Sequence, residues 1–291
     1  MAVSTQNTNE LTAEQVQSIL VQPLEEQSQF LAAGPRIFDT NGSQVRIPKL
    51  GGPTTPAWHG ENEQITEQDP DFDEITLLPS TMKSVKVLTR YSNEMARQSI
   101  VSLDAALKDR LVRDVAATLD SQFFGAAGNG IVQPKGILAW DDTQKVDATG
   151  ADLGLDVLID AWGKALSANV DITKLRWIMR PDAFTALRKI KQGTGSNQYV
   201  LTPDATQDGV FRLFGSPVTI TSRLPEDEEN GQSIVLADFS QIAVARDQAP
   251  TVKILDQTFG DYDQQAIRVT ARYDAAPLNP EAVVVVENIG A

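Results

Sequence analysis

His59 is the only histidine in the 291-residue chain. Any Ser-His-Asp triad, His-Glu metal site or imidazole base must therefore use it. It stands in Pro56-Ala57-Trp58-His59-Gly60, among turn-forming residues, and reads as a half-exposed loop residue. Asp69, Asp71 and Asp73 have the one-three-five spacing of a calcium loop, which next requires glycine at the sixth position and glutamate at the twelfth. Glu74 and Ser80 occupy those places, so a solvated acidic loop is the better reading. Pro225–Gly231, with Glu226, Asp227, Glu228 and Glu229, reads as a charged hairpin tip. Gly193-Thr194-Gly195 lacks the third glycine of a dinucleotide loop, since Gln198 stands there, and no GxxxxGK phosphate loop occurs. There are no cysteines, which excludes disulfides, thiolate zinc sites and a cysteine nucleophile together. No cofactor or metal is implied, and no catalytic residue is assigned.

Composition narrows the classes further. The formal charge is −14, so the surface as a whole repels phosphate backbones. The nearest thing to a basic cluster is Arg188, Lys189 and Lys191. The first 34 residues hold Glu10, Glu14, Glu25 and Glu26 and no Lys or Arg, unlike a signal peptide. No stretch has the length of a membrane span. The chain reads as soluble and made in the cytosol.

The elements that would carry any function are unevenly distributed. Residues 1–34 form an N-terminal arm, in which Thr12 and Gln15 make a capping-box pattern. Leu11, Val16, Ile19 and Leu20 give its short helix one apolar face, and Pro23 ends it. Residues 35–80 hold six prolines, four glycines and three basic against eight acidic residues. Arg36–Phe38 and Gln44–Ile47 read as strands around an Asn41-Gly42 turn, and the remainder lacks periodicity. So long an irregular stretch is unusual inside a compact domain and reads as an extended loop reaching away from the body.

The strongest helix signal spans 93–124. Ser92 caps it, and Ile100, Leu103, Leu107, Leu111, Val115, Leu119 and Phe123 recur at steps of three or four. Gly125 and Gly128 stop it. At 1.5 Å per residue such a helix spans roughly 48 Å, a beam across a flattened molecule. Beyond it, Leu155, Leu158, Ile159, Trp162 and Leu166 define one helix face. Leu175–Met179, Val218–Thr221, Ile234–Leu236, Ile242–Ala245, Thr251–Leu255, Ala266–Tyr273 and Ala282–Val286 read as strands. Val283–Val286, apolar on both faces, reads as fully buried. The fold class is α+β, without regular βαβ alternation. Trp162 and Trp177 lie on apolar periodic faces and belong to the core; Trp58 and Trp140, beside turn residues, are candidate anchors at subunit contacts.

Several local motifs now fall in one order. Ser92-Asn93-Glu94-Met95 opens the long helix, and Ala116–Gly125 fits A-x-x-x-D-x-x-F. Gly128-Asn129-Gly130, with Gln133-Pro134-Lys135-Gly136-Ile137-Leu138, forms a G-x-G...P-x-G-I-L turn. Trp177–Pro181, Leu213–Val218, Ala237-Asp238-Phe239-Ser240 and Ile267–Asp274 follow. Together these resemble the major capsid proteins of tailed phages, which share the Hong Kong 97 capsid fold with encapsulin nanocompartments. The resemblance runs from about Arg36 to Val286. It implies an arm (1–34), an extended β-hairpin loop (35–80), a peripheral domain with the spine helix 93–124 (81–150), an axial domain (151–255) and a return to the peripheral domain (256–291).

It also implies a structural protein. Hexamers and pentamers would close into an icosahedral virion head around double-stranded DNA, without sequence-specific binding and without a membrane. The partners would be the chain itself, a portal, a separate scaffolding protein and a decoration protein. Arg46, Lys49 and Trp58 in the loop, with Leu11, Val16, Ile19 and Leu20 in the arm, are the residues expected at subunit interfaces. One branch of the family crosslinks a loop lysine to a peripheral asparagine. Lys49 is the only lysine in 35–80 and Asn279 the conceivable partner, but the branch's motif is not visible here, so single uncrosslinked chains are expected. An encapsulin shell is the alternative, disfavoured by the acidic arm. A soluble α+β enzyme is a third reading, which Trp58's neighbour His59 would have to serve; His59→Ala tests it.

Overall fold

In the computed structural model, residues 28–50, 58–62, 64, 72–78, 83–94, 103–150, 153–193, 197–201, 211–225, 231–255 and 257–290 are described. The arm residues Leu11, Val16, Ile19 and Leu20, and Asp69 and Asp71, lie outside them. Two sheets and a long helix make the body. The first sheet orders β1 (Arg36–Asp39), β10 (Ile242–Leu255), β11 (Gln264–Pro277) and β4 (Ser84–Ser92). The second has six strands. They are β5 (Gln144–Asp147), β12 (Val283–Ile289), β9 (Gln232–Asp238), β6 (Leu175–Met179), β8 (Ser216–Ile220) and β7 (Arg212–Leu213). A separate hairpin pairs β2 (Val45–Leu50) with β3 (Phe72–Leu77).

The helices are α1 (Gln29–Ala32), α2 (Leu103–Phe123), α3 (Leu155–Ser167) and α4 (Pro181–Arg188). Leu111, Val115, Leu119 and Phe123 on α2 are buried, as the three-and-four spacing predicts. Ser92 Oγ accepts from Glu94 N at 3.1 Å, and residues 93–94 are helical. Ile100 lies outside the described residues.

Period-two alternation assigns the central strands of the second sheet, β12, β9 and β6, to two cores at once. Val283 and Val285 of β12 face a cluster shared with α2 and the first sheet, whereas Val284 and Val286 face α3 and α4. All four are fully buried, as the unbroken apolar run predicts. In β9, Val235 and Ala237 take the first side and Ile234 and Leu236 the second. β10 divides likewise: Ile242 and Val244 face the α2 core, while Ala243 and Ala245 face a small cluster under the hairpin with Leu77 and Leu78.

Several expectations change. Asn41-Gly42 does not join a hairpin. β1 pairs in parallel with β10, and β2 leaves to pair with β3. The turn redirects the chain because Gly42 takes φ +81° and its N–H donates to Asp247 Oδ1. Residues 72–77, read as irregular, form β3. The segments at 242–245 and 251–255 are one strand carrying register shifts near Gln248. On α3 the buried face is Leu158, Ala161 and Ala165, whereas Ile159 and Leu166 are exposed. The alanines let the helix approach the sheet. Trp140 is buried, its indole N–H donating to Lys135 O at 3.1 Å, so it is a core residue and not a contact anchor.

Candidate inter-subunit surfaces

The β2–β3 hairpin packs Val45, Ile47, Ile75 and Leu77 against Ala243 and Ala245 of β10, and its root is held by one buried carboxylate. Asp274 sits on β11, 1% exposed. Its Oδ2 accepts from Lys83 Nζ at 2.6 Å and from Leu78 N at 2.8 Å, while Oδ1 accepts from Ala275 N at 3.0 Å. Leu78 carries φ +50°, an uncommon value for leucine that this grip and the surrounding apolar contacts maintain. One aspartate thus holds the chain on either side of residues 79–82. Nearby, Arg272 donates to Asp247 Oδ2 at 3.0 Å, and Arg246 forks onto Asp39 at 2.6 and 3.0 Å. The Arg246 guanidinium holds the Asp39 carboxyl below its usual range.

On the hairpin, Arg46 Nη1 lies 3.8 Å from Glu74 Oε1, both side chains more than half exposed. Such a pair contributes about 0–1 kcal/mol. Lys49 stands opposite Asp73 in the β2–β3 register. It lines a cleft of about 310 Å³ between the hairpin, the turn after α2 and the end of β11. Asn279 accepts from Glu281 N at 3.1 Å and caps the turn Pro280–Ala282; Pro280 lines the same cleft. Trp58 is fully exposed, and His59 beside it is exposed as well.

A second anchor fixes where the arm leaves the body. Asp120, near the end of α2, is 1% exposed and accepts from Ser28 Oγ at 2.5 Å and Gln29 N at 2.8 Å. It therefore caps the N-terminus of α1 from another helix. Phe30 follows, its ring 4.9 Å from Phe123, 5.3 Å from Phe124 and 5.5 Å from Phe239. Burial pushes the Asp120 carboxyl above its ordinary value, outweighing those hydrogen bonds.

Two outcomes follow for Asp120. Asp120→Ala leaves the Ser28 hydroxyl and the Gln29 N–H without their acceptor and should cost about 2–3 kcal/mol in urea denaturation. Because folding raises this pKa, its linked stability is present in full below the unfolded value of 3.8 and declines as pH rises through the folded value. The stability margin of wild type over Asp120→Asn should therefore widen on acidification; a margin that narrows would show that the carboxylate is stabilised and not desolvated.

The turn after α2 explains the most specific motif. Gln122 Nε2 donates to Ala127 O at 2.9 Å and to Pro134 O at 2.8 Å. Asn129 Oδ1 accepts from Ile131 N at 2.9 Å and Val132 N at 3.0 Å. Gly128 takes φ +127°. Ile131 and Val132 are left exposed at its outer end. The other motif residues also have work. Arg180 Nη1 donates to Leu224 O at 2.9 Å, and Phe214-Gly215 turns β7 into β8 with positive φ at both. Asp238 Oδ1 accepts from Ser240 N at 2.9 Å.

Among the described residues no cluster of His, Asp and Glu could hold a metal ion. No helix there is long and apolar enough to cross a membrane. The buried carboxylates Asp120, Asp238 and Asp274 accept from backbone N–H groups at turns and loop roots. Residues 10–288 match the phage capsid family, and the chain belongs to it. It is 22% identical over 94% of its length to the major capsid protein of Klebsiella oxytoca phage phiKO2, spanning 67% of that protein. It is 23% identical over 86% of its length to the major capsid protein of Halomonas phage phiHAP-1, spanning 39% of it. A chain from the capsid of a native GTA particle superposes with TM-score 0.75 at 16% identity, covering 99% of this chain and 100% of that one. A chain of Mycobacterium phage Bobi gives TM-score 0.73 at 15% identity, covering 97% and 100%. The fold is therefore the Hong Kong 97-like one, and the role is that of a structural capsid protein of the virion. These relatives favour the phage reading over the encapsulin alternative.

Proposed function

We propose that this chain is the repeating subunit of an icosahedral phage head, assembling through hexamers and pentamers around double-stranded DNA in the host cytoplasm. The match of the whole chain to a subunit of an assembled capsid carries this reading. The hairpin anchored at Asp274 supports it, because its outer face, with Arg46 and Glu74 more than half exposed, is free to pack against a neighbour. In this reading the α2 and four-stranded-sheet half is peripheral, the α3–α4 half is axial, and no residue performs catalysis. Arg46, Lys49 and Trp58 contact neighbouring subunits, as do Leu11, Val16, Ile19 and Leu20 of the arm. Portal, scaffolding and decoration proteins are separate chains. The acidic balance keeps the wall from adhering to packaged DNA.

Negative-stain electron microscopy of the purified chain tests it. Closed polyhedra, or rings of five and six, are expected; a monomer or dimer under every assembly condition refutes it. Lys49 and Asn279 remain unlinked, so shells boiled in detergent should run as single 31.6-kDa chains. A ladder of covalent multimers that Lys49→Arg abolishes would establish the crosslink instead.

A further inference from the structure

We infer that Trp58 is a knob that seats in the cleft beside the hairpin root of a second copy of this chain. The inference rests on the shell reading above and names the contact within it. Trp58 has a relative exposure of 103%, so no described residue of its own chain covers the indole. Among the described residues no other apolar side chain approaches that value; Tyr262 follows at 76%. An uncovered indole is the side chain most suited to anchoring an interface, because it combines a large apolar face with one N–H donor.

The cleft is the complementary hole. At about 310 Å³ it is roomy enough for one indole, and Ile75, Trp140, Pro277 and Pro280 give it apolar walls. Asp73 and Asp142 are also in its lining and can accept a hydrogen bond from the indole N–H. Gly130 lines it too, and the next two residues, Ile131 and Val132, are 58% and 64% exposed, so an apolar collar continues from the cleft onto the surface. Trp58 is not in the cleft of its own chain. Knob and hole are different patches, so the contact is head-to-tail, the kind that repeats around a closed ring.

The absence of cysteine makes the test clean. Trp58→Cys and Asp142→Cys subunits are assembled together, treated with a short bismaleimide and run on a denaturing gel. A two-chain band much stronger in the mixture than in either variant alone is expected. No such band from mixed shells overturns the inference, as does a doubly substituted chain that links only within itself. Wild-type protein gives a second readout. Trp140 and Trp177 are buried and Trp162 is half-buried, so the fully exposed Trp58 supplies the fluorescence fraction that acrylamide quenches most readily. That fraction should be lost on shell formation. If the shells form and Trp58 stays quenchable, the inference fails while the shell reading stands; if no shell forms, both fail.

Discussion

Gly136→Ala is expected to destabilise the subunit severely, whereas Gly163→Ala leaves it intact. A Cβ on Gly136 would lie 2.1 Å from Gly125 O and 2.5 Å from Gln122 O. Both obstacles are backbone at the end of α2, and no flexible side chain can move aside. Shifting the segment away would break Leu138 N–H···O Gly125 and would withdraw Ile137 and Leu138 from the core. Overpacking costs typically about 1–3 kcal/mol and more where, as here, only backbone could yield, which is a large part of a typical domain's 5–15 kcal/mol. Gly128→Ala should behave alike, since its Cβ would meet Pro134 O at 2.1 Å and its φ of +127° disfavours any side chain. Gly163 lies inside α3 with open space around its Cβ position, so alanine there should add up to about 1 kcal/mol through helix propensity. Urea denaturation and soluble yield of the three variants distinguish these outcomes. Gly136→Ala within about 1 kcal/mol of wild type would mean that the turn relaxes and the motif is not a packing constraint.

Much of this was readable from the residues, and the reason differs by element. The α2 face and the buried valines of β12 follow from spacing alone, because one side of each must be apolar whatever the partner. The motif order identified the fold because each motif fixes a local geometry: Gly128 and Gly136 a close backbone approach, Asp120 an arm dock, Asp274 a loop root. What spacing could not supply was pairing. β2 seemed to belong with β1 because Asn41-Gly42 lies between them, but β10 captures β1, and β2 finds β3 more than twenty residues later. β3 itself was hidden because Asp73 and Glu74 interrupt its apolar residues and prolines surround it. Trp140 was misplaced because turn residues beside it suggested exposure, whereas the turn folds back and its own Lys135 carbonyl takes the indole proton. On α3, Leu155, Leu158 and Trp162 meet the core as their spacing predicts, whereas Ala161 and Ala165 take the places against the sheet that Ile159 and Leu166 do not reach. For the subunit surfaces only residue types were legible. Exposure of Trp58 and the cleft beside the hairpin depend on how four separated segments meet.

Asp274→Ala should be the most damaging single change outside the glycine turn, and adding Lys83→Met should recover part of the loss. The ion pair is almost fully buried, with side-chain exposures of 7% for Lys83 and 2% for Asp274. Removing the carboxylate strands an ammonium in the interior and deprives Leu78 and Ala275 N–H of their acceptor. Breaking such a pair from one side costs about 3–5 kcal/mol. Lys83→Met alone leaves a buried carboxylate that still has its two N–H donors, so its cost should be smaller. In the double variant the uncompensated charge disappears and the two orphaned N–H groups remain, about 1–3 kcal/mol each at most. The double variant should therefore be more stable than Asp274→Ala alone. The position of the pair adds a functional expectation. Asp274 grips residues 78 and 83, so its loss frees the root of the hairpin before it unfolds the sheet beneath. Shell assembly should fail at temperatures where the body of Asp274→Ala still gives a cooperative melting transition. Assembly and melting lost together would show that the aspartate serves only the core; assembly unchanged would show that the hairpin root needs no fixed direction to reach a neighbour.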